Sequence, residues 1–337
     1  MPLDAYTRAD ADPAALADAT IAVVGYGNLG SSMAANLRAA GLNVVVGNRD
    51  DEYRKQAVAD GFPVSDVGSA VAGADVVYVL ISDEAIPGCF AADVAPSLRR
   101  GSAVCFASGY CLAFDLVKPP ADVDVLLLAP RMVGSAVHLA NAGGAGYVAY
   151  VSVEHDASGS ARDRLLALAL AAGALERGAF VVSAADEAAI DLLVEQTVGP
   201  YIGLAVQLAF EVGVEGGLPA EAMVLELYQS GEMAETFRHF AERGFYRSVA
   251  EHGATAQFGG YVRTLELDSD AMRRHFRAVL EDIRSGEFAR RFQAEQNDGA
   301  PALALIATIT AGDDAMSSAE SAVRARLDPA VNPTARG

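Results

Sequence analysis

The sequence predicts an α/β protein: an N-terminal Rossmann domain, built as a doubly wound parallel sheet, followed by an all-helical C-terminal domain. Three observations carry that expectation. Short β-branched runs alternate with helical segments from residue 21 onward, as in IAVVG, SSMAANLRAAG, NVVVGN and YRKQAVADG. A glycine-rich turn, GYGNLG, stands between the first run and the first helical segment. From SAADEAAIDLLVEQ onward, near residue 180, nearly every segment has helical periodicity.

Continuous apolar runs of this length, each closed by a turn, are the pattern of strands buried on both faces in βαβ units. After the first two, the further strands are ADVVYVLI, GSAVCFAS and VDVLLLAP. In the C-terminal part, the glycines of EVGVEGGLP and AERGF mark helix ends. The expected limits are residues 1–20 for a lead-in, 21–182 for the dinucleotide-binding domain, 183–326 for the helical domain, and 327–337, LDPAVNPTARG, for a frayed tail. No internal repeat or low-complexity linker interrupts this plan.

The 337 residues suffice for two domains and a large core. Acidic residues outnumber basic ones 44 to 25, a net charge of −19. That balance excludes nucleic acid and anionic membrane as main partners, while leaving room for a small acid held by local arginines. Cys89, Cys105 and Cys111 are an odd number without metal-ligand spacing, which points to a reducing, cytoplasmic setting. The opening MPLDAYTRADADPAALADAT has acids and no apolar core, so neither a secretion signal nor a membrane span is expected there. Lysine occurs only at positions 55 and 118 whereas Arg and Ala abound, a bias that weakens inference from arginine usage alone.

Gly25, Gly27 and Gly30 stand in the G-x-G-x-x-G arrangement, after a strand and before a helix. In that context the first glycine permits the tight turn, the second lets the backbone approach a pyrophosphate, and the third lets helix and strand pack closely. The phosphates would rest at the helix N-terminus, where free N–H groups and the helix dipole favour an anion. Gly25, Tyr26, Gly27, Asn28, Leu29 and Gly30 are therefore the expected dinucleotide contacts, with a purely structural turn as the alternative. The second strand runs into GNRDDEYRK, beside the expected adenosine ribose. There Arg49 is placed to stack on adenine or meet a 2′-phosphate, whereas Asp50, Asp51 and Glu52 would repel a phosphate and accept from a free ribose diol. Three acids against one arginine favour NADH over NADPH, the competing account being that these acids cap the helix that follows.

In DLLVEQ, Asp191 and Glu195 lie four apart on one helix face among apolar neighbours. Like charges at that spacing repel, so either the pair is solvated or a cation compensates it. His138, His155, His239, His252 and His275 show no metal spacing and read as ordinary histidines.

The chain resembles the short-form ketol-acid reductoisomerases of branched-chain amino acid synthesis. The resemblance runs from about residue 20 to residue 325. It is carried by GYGNLG, VVVGNR, ADGF, ISDE, DVDVLLLAP, EHDASG, DLLVEQTV, ATAQFGGYV and, longest and most specific, LEDIRSGEFARRFQAEQ. It implies a nicotinamide cofactor and two Mg²⁺ ions, which together migrate an alkyl group in a 2-hydroxy-2-alkyl-3-keto acid and reduce the product. Carried over residue by residue, it implies Asp191, Glu195 and Glu226 as metal ligands and Ser82 as a further cofactor contact. Ser230, Gly253, Ala254 and Thr255 fall on substrate positions. It also implies a homodimer or larger assembly in which Glu226 and Ser230 serve the partner chain's Asp191 and Glu195.

Four positions depart from the resembled family. Its second acidic pair lies on AEAMVLELYQSGEMAETF, where Glu226 matches but the position four later is Ser230. On a regular helix Glu232 and Glu235 turn away from the Glu226 face, so neither replaces the missing acid. Ser108 stands for a histidine, Arg131 for a lysine, and Gly253 for a serine. Arginine offers a fixed fork suited to a carboxylate and stays charged; a hydroxyl holds no charge at neutral pH. Retained hydride transfer with altered substrate handling follows, with Arg131, Ser108 and Glu226 as the catalytic set. The expected activity is NAD(P)H-dependent reduction of a small carbonyl or imino acid with Mg²⁺ assistance. The alternatives are the full isomeroreductase and an inactive dinucleotide-binding homologue.

Overall fold

The computed structural model describes residues 2–311 and 314–327. Of the expected tail 327–337 only Leu327 is described, and it ends a helix; the rest lies outside the described residues.

The first unit follows the βαβ plan. After a short strand β1 (Ala5–Tyr6) come β2 (Thr20–Val24), α1 (Asn28–Ala39), β3 (Asn43–Gly47), α2 (Glu52–Ala59), β4 (Val64–Ser65), α3 (Val67–Ala72), β5 (Val76–Val79), α4 (Ile86–Cys89), β6 (Ala103–Phe106), α5 (Tyr110–Ala113) and β7 (Asp124–Pro130). Strands β2 to β7 pair in parallel, and Ile21–Val24 at the centre is fully buried. Helix α1 lies over the sheet with Met33, Ala34 and Leu37 buried in the same core as Ile21, Val23 and Tyr78.

Beyond β7 the structure differs from the all-parallel expectation. Helix α6 (Gly134–Ala142) leads to β8 (Ala149–His155), which runs antiparallel to β7, and α7 (Ala161–Ala172) leads to β9 (Ala179–Val181), parallel to β8. Among the described residues the sheet has nine strands, ordered β1-β9-β8-β7-β6-β5-β2-β3-β4, so it is parallel-dominated but mixed. In YVAYVSVEH the apolar run YVAYV gives way to SVEH, and the last three residues of β8 are exposed, so the strand is buried only over its first half. The lead-in is also more than a lead-in: Ala5 and Tyr6 pair antiparallel with Phe180 and Ala179 at the sheet edge.

Asp124 anchors the start of β7. Its carboxylate is fully buried and accepts from Ala157 N at 2.9 Å, Ser158 N at 2.9 Å, Ser158 Oγ at 2.7 Å and Arg164 Nη1 at 3.1 Å.

Helix α8 (Ala184–Gln196) follows, and the chain's compact units divide inside it, between Asp191 and Leu192. The second unit is helical: α9 (Val198–Glu215), α10 (Ala220–Val224), α11 (Glu232–Arg243), α12 (Phe245–Ala250), α13 (Ala254–Glu266), α14 (Ser269–Arg284), α15 (Glu287–Asn297), α16 (Pro301–Thr310) and α17 (Ala315–Leu327). Its buried cluster joins Phe210, Val224, Ala319 and Val323. Among the described residues one stretch, Ala184–Glu215, is long and apolar enough to cross a membrane by length and composition. Val198, Ile202, Leu204, Leu208 and Val212 of α9 are exposed, as are Phe258, Tyr261 and Leu265 of α13.

AEAMVLELYQSGEMAETF is not one regular helix. After α10 the chain makes a wide π-type turn over Leu225–Gln229, and Gly231, at φ +84°, breaks the path before α11. The wide turn and the left-handed glycine remove the 100° periodicity. The expected continuous helix, on which Glu232 and Glu235 turn away from Glu226, is thereby corrected to two helices joined by a wide turn.

Asp124→Ala should leave the N–H groups of Ala157 and Ser158 without their acceptor and Arg164 with the Gly101 carbonyl but no carboxylate. Removing one partner of a buried charged network costs about 3–5 kcal/mol, so the urea midpoint of the N-terminal unit should fall steeply. A loss below about 0.5 kcal/mol, the range of an ordinary surface change, would show that Asp124 is not an anchor.

Candidate dinucleotide and substrate site

The carboxyl ends of β2, β5, β6 and β7 meet around the glycine loop. Gly25 has φ +99°, and a Cβ there would lie 2.6 Å from Ile81 Cγ2 and 2.8 Å from Leu80 O, so the loop presses against the end of β5. A Cβ at Gly30 would collide with the Gly25 carbonyl. Gly27 is different: nothing lies within 4 Å of the position its Cβ would take. Gly27 also begins α1 with no side-chain cap, leaving the first-turn N–H groups to an outside acceptor. Gly25 and Gly30 are thus packed against backbone, whereas Gly27 leaves an open face that could take a pyrophosphate.

The other loop residues contribute less directly. Tyr26 is 3% exposed, donates to Asp60 Oδ2 at 2.8 Å and packs edge-on against Phe62, so only its backbone faces the loop. Asn28 starts α1, and Leu29 touches Gly134, whose Cβ would lie 3.0 Å from Leu29 N. The PRMVG segment after β7 therefore sits on the glycine loop. At the end of β3, Asp51 caps α2 by accepting from Arg54 N at 3.1 Å and holds Arg49 Nε at 2.8 Å. The Arg49 guanidinium beside it holds the Asp51 carboxyl below its ordinary value. Glu52 is exposed and pairs with Lys55 at 2.6 Å. The capping account thus covers Asp51, whereas Asp50 and Glu52 face solvent. Ser82 is exposed, and its carbonyl accepts from Ala85 N at 2.9 Å, turning the chain into α4.

Next to this loop lies a polar cluster. Arg131, just past β7, donates from Nη2 to Glu187 Oε1 at 2.6 Å and from Nη1 to Asp191 Oδ1 at 2.8 Å, with its guanidinium 4.9 Å from the Tyr150 ring centre. Its Nε is buried and without a partner among the described residues. Glu187 is fully buried and takes Gly109 N on its other oxygen at 2.6 Å. Ser108 Oγ donates to Asp83 Oδ2 at 3.4 Å and accepts from Tyr110 N at 3.2 Å. Burial, reinforced by the charges of Glu187, Glu84 and Asp191, pushes the Asp83 carboxyl up to about 6. Burial also raises Glu187, against the pull of Gly109 N–H and Arg131.

Sequence reasoning missed Glu187 and Asp83. Glu187, Asp191 and Glu195 repeat every four residues, so a three-acid stripe was there to read. Asp83 follows a buried strand at the ligand-binding edge of a parallel sheet.

The remaining expected residues lie in the helical unit. Glu226 and Ser230 are exposed at the wide turn, and Gly253 precedes the first turn of α13, where Ala254 and Thr255 are exposed. Among the described residues no three His, Cys, Asp or Glu side chains converge as a metal set. The donor chemistry at Asp191 and Glu195 nevertheless suits a hard divalent cation. Both offer only oxygen, they lie one turn apart, and Arg131 occupies one Asp191 oxygen.

Comparison with known proteins identifies the family. Residues 15–178 match the acetohydroxy acid isomeroreductase NADPH-binding domain, and residues 185–328 match the ketol-acid reductoisomerase C-terminal domain. The chain belongs to the ketol-acid reductoisomerase family. It is 39% identical over 88% of its length, and 90% of the relative's, to a Saccharolobus solfataricus protein provisionally named ketol-acid reductoisomerase 3. It is 37% identical, over 88% of its length and 91% of the relative's, to the ketol-acid reductoisomerase (NADP(+)) of Pyrobaculum arsenaticum. Among solved structures, the NADH-preferring ketol-acid reductoisomerase from an uncultured archean superposes with a TM-score of 0.90 at 29% identity, covering 96% of this chain and 98% of that one. This chain is accordingly a ketol-acid reductoisomerase-like, NAD(P)-dependent oxidoreductase.

Gly27→Val would put a branched side chain into space the protein itself leaves open. The fold should survive, and dinucleotide affinity should fall by at least about 100-fold, equivalent to about 2.7 kcal/mol. Fluorescence titration with NADH and NADPH checks this, and an unchanged dissociation constant would detach the loop from cofactor binding.

Proposed function

We propose that this enzyme reduces a small 2-keto or imino acid with NADH and has lost most of the alkyl-migration step. The buried, unpartnered Nε–H of Arg131 beside the glycine loop carries this reading, because it is a donor awaiting an acceptor. Two edges of the guanidinium are already held by Glu187 and Asp191, so the side chain is oriented before substrate arrives. Its remaining N–H groups would take a substrate carboxylate, as expected from its geometry.

The bound dinucleotide supplies hydride. The Gly27 backbone and the first turn of α1 would hold its pyrophosphate, and Asp50 and Glu52 would disfavour a 2′-phosphate. The NADH preference of the archaean structural neighbour supports that choice.

Glu187 and Asp191 set two carboxylates against the single positive charge of Arg131. A divalent cation on Asp191 and Glu195, completed by Glu226 of a second copy, would balance the remaining charge and supply Lewis-acid polarisation of the acceptor. The exposed apolar residues of α9 and α13 are the surface a second copy would cover. Ser108, Gly253 and Ser230 would then line the substrate space, together with Ala254 and Thr255. Ser108 and Ser230 lack the charge that the resembled family places there. Alkyl migration needs those charges to manage the hydroxyl proton and hold a second metal, whereas hydride transfer needs an oriented acceptor. The ordinary isomeroreductase of branched-chain synthesis remains the second reading, because the named relatives carry that name.

The test is NADH and NADPH oxidation with Mg²⁺, comparing 2-acetolactate with 3-hydroxy-2-keto acids and with simple 2-keto and imino acids. Each lost charge-stabilising group typically costs about 10²–10³ in rate, so acetolactate should lag the 3-hydroxy-2-keto acids by at least about 100-fold. Comparable rates would restore the biosynthetic assignment, and a strong NADPH preference would overturn the assignment at Glu52.

Metal and assembly can be read without turnover. Mn²⁺ binding followed by electron paramagnetic resonance should weaken in Asp191→Asn and in Glu226→Gln, on a species that light scattering shows to contain at least two chains. Undiminished Mn²⁺ binding in both variants would remove these ligands, and a fully active monomer would remove the contribution in trans.

A further inference from the structure

We propose that the proton completing the reduction leaves Ser108 Oγ and is replaced from the carboxyl group of Asp83 behind it. This rests on the reduction reading above, and it names the group that does the work of the missing imidazole.

The observations are positional. The chain leaves β5 through Leu80 and Ile81, which press on Gly25 of the cofactor loop, and reaches Asp83 two residues later. Asp83 and Ser108 meet at 3.4 Å, side by side at the carboxyl ends of β5 and β6. Ser108 is half-buried, and its backbone neighbour Gly109 is held by Glu187, so the hydroxyl sits on a fixed turn.

The other groups facing Asp83 are poor sources of a proton. Both Glu187 oxygens accept hydrogen bonds, from Gly109 N and from Arg131, which is the behaviour of an ionised carboxylate. Asp191 is engaged by the same guanidinium, and arginine does not give up its proton. Cys111 donates to the Asp83 carbonyl at 3.6 Å, and burial pushes its thiol up to about 12. Glu84, on the same loop, is exposed and adds only negative charge beside Asp83. The Asp83 side chain, by contrast, has Ser108 Oγ as its hydrogen-bond partner among the described residues. Burial first, and then the neighbouring acids, raise the Asp83 carboxyl to about 6.

The step balances. Hydride from the bound dinucleotide forms the new C–H bond, and the electron pair of the C=O π bond moves onto oxygen. That oxygen takes the Ser108 Oγ proton, Ser108 takes the Asp83 proton, and the Asp83 carboxylate is reprotonated from water. The dinucleotide leaves oxidised, and an alcohol replaces the carbonyl.

The full chain is assayed with NADH, Mg²⁺ and 3-hydroxypyruvate, the smallest 3-hydroxy-2-keto acid, as wild type, Asp83→Asn, Ser108→Ala and the double variant Asp83→Asn/Ser108→His. Donation requires protonated Asp83, so wild-type kcat should fall as pH rises through the region near 6. Asp83→Asn and Ser108→Ala should each lower kcat by about 100-fold or more, the usual contribution of acid catalysis. KM and the NADH dissociation constant should stay within about twofold, and the alkaline fall should disappear. The double variant, with an imidazole in place of the relay, should recover part of kcat. A kcat for Asp83→Asn within about threefold of wild type, a retained alkaline fall, or a loss shared equally with NADH binding would each overturn the relay while leaving the reduction reading intact. No turnover of any keto or imino acid by NADH-bound wild type would bring down both.

Discussion

One buried carboxylate, Glu187, holds the site together. It lies on α8, is fully buried, and reaches two other segments at once: the turn after β6 through Gly109 N and the loop after β7 through Arg131. A buried charge persists only when its partners replace the water it has lost. Breaking such an arrangement typically costs about 3–5 kcal/mol, most of it the penalty of the charge left behind. The partner pair between Arg131 and Asp191 is more exposed, at 24% and 43% of the side chains, and contributes about 1 kcal/mol or less after screening. Glu187 therefore sets the geometry, and Asp191 follows the arginine that Glu187 has positioned.

This clamp works because the sheet has already brought the strand ends to one edge. Parallel pairing from β2 through β7 puts the carboxyl ends of consecutive strands side by side, and the loops that leave them carry Gly25, Asp83, Ser108 and Arg131. Close backbone approaches lock the loops to one another: Gly25 on Leu80 and Ile81, Gly109 on Ala184, Gly134 on Leu29. In each case a Cβ would collide or crowd, so the absence of a side chain is what permits the contact. The antiparallel return of β8 extends the sheet away from this edge and brings Tyr150 beneath the Arg131 guanidinium.

The helical unit follows different physics. Its buried cluster is small, while α9, α13 and α16 keep large apolar side chains exposed. Helices that amphipathic patterning alone would pack into a single-chain core remain partly unpartnered in one copy. That exposed apolar surface is the observation on which the proposal of a second copy rests. The break at Gly231 has a related effect, because a left-handed residue after a wide turn uncouples the acids of α11 from those before it.

Sequence by itself determined the parallel core strands, the glycine loop with its helix, and the membership that its motifs carry, because each depends on short-range periodicity or on residue types that backbone geometry demands. It also made the stripe of acids on α8 visible in part, as Asp191 and Glu195. Only the tertiary structure decided that Arg131 meets Glu187 and Asp191 on that helix, since it is 60 residues away along the chain from Asp191 and reaches it from a strand end. The same holds for the two-residue β1 and for the antiparallel direction of β8, which a neighbouring strand decides. Local patterns record what a segment does with its own backbone; the pairing of buried charges depends on which segments the sheet brings together, and no single window of sequence contains both partners.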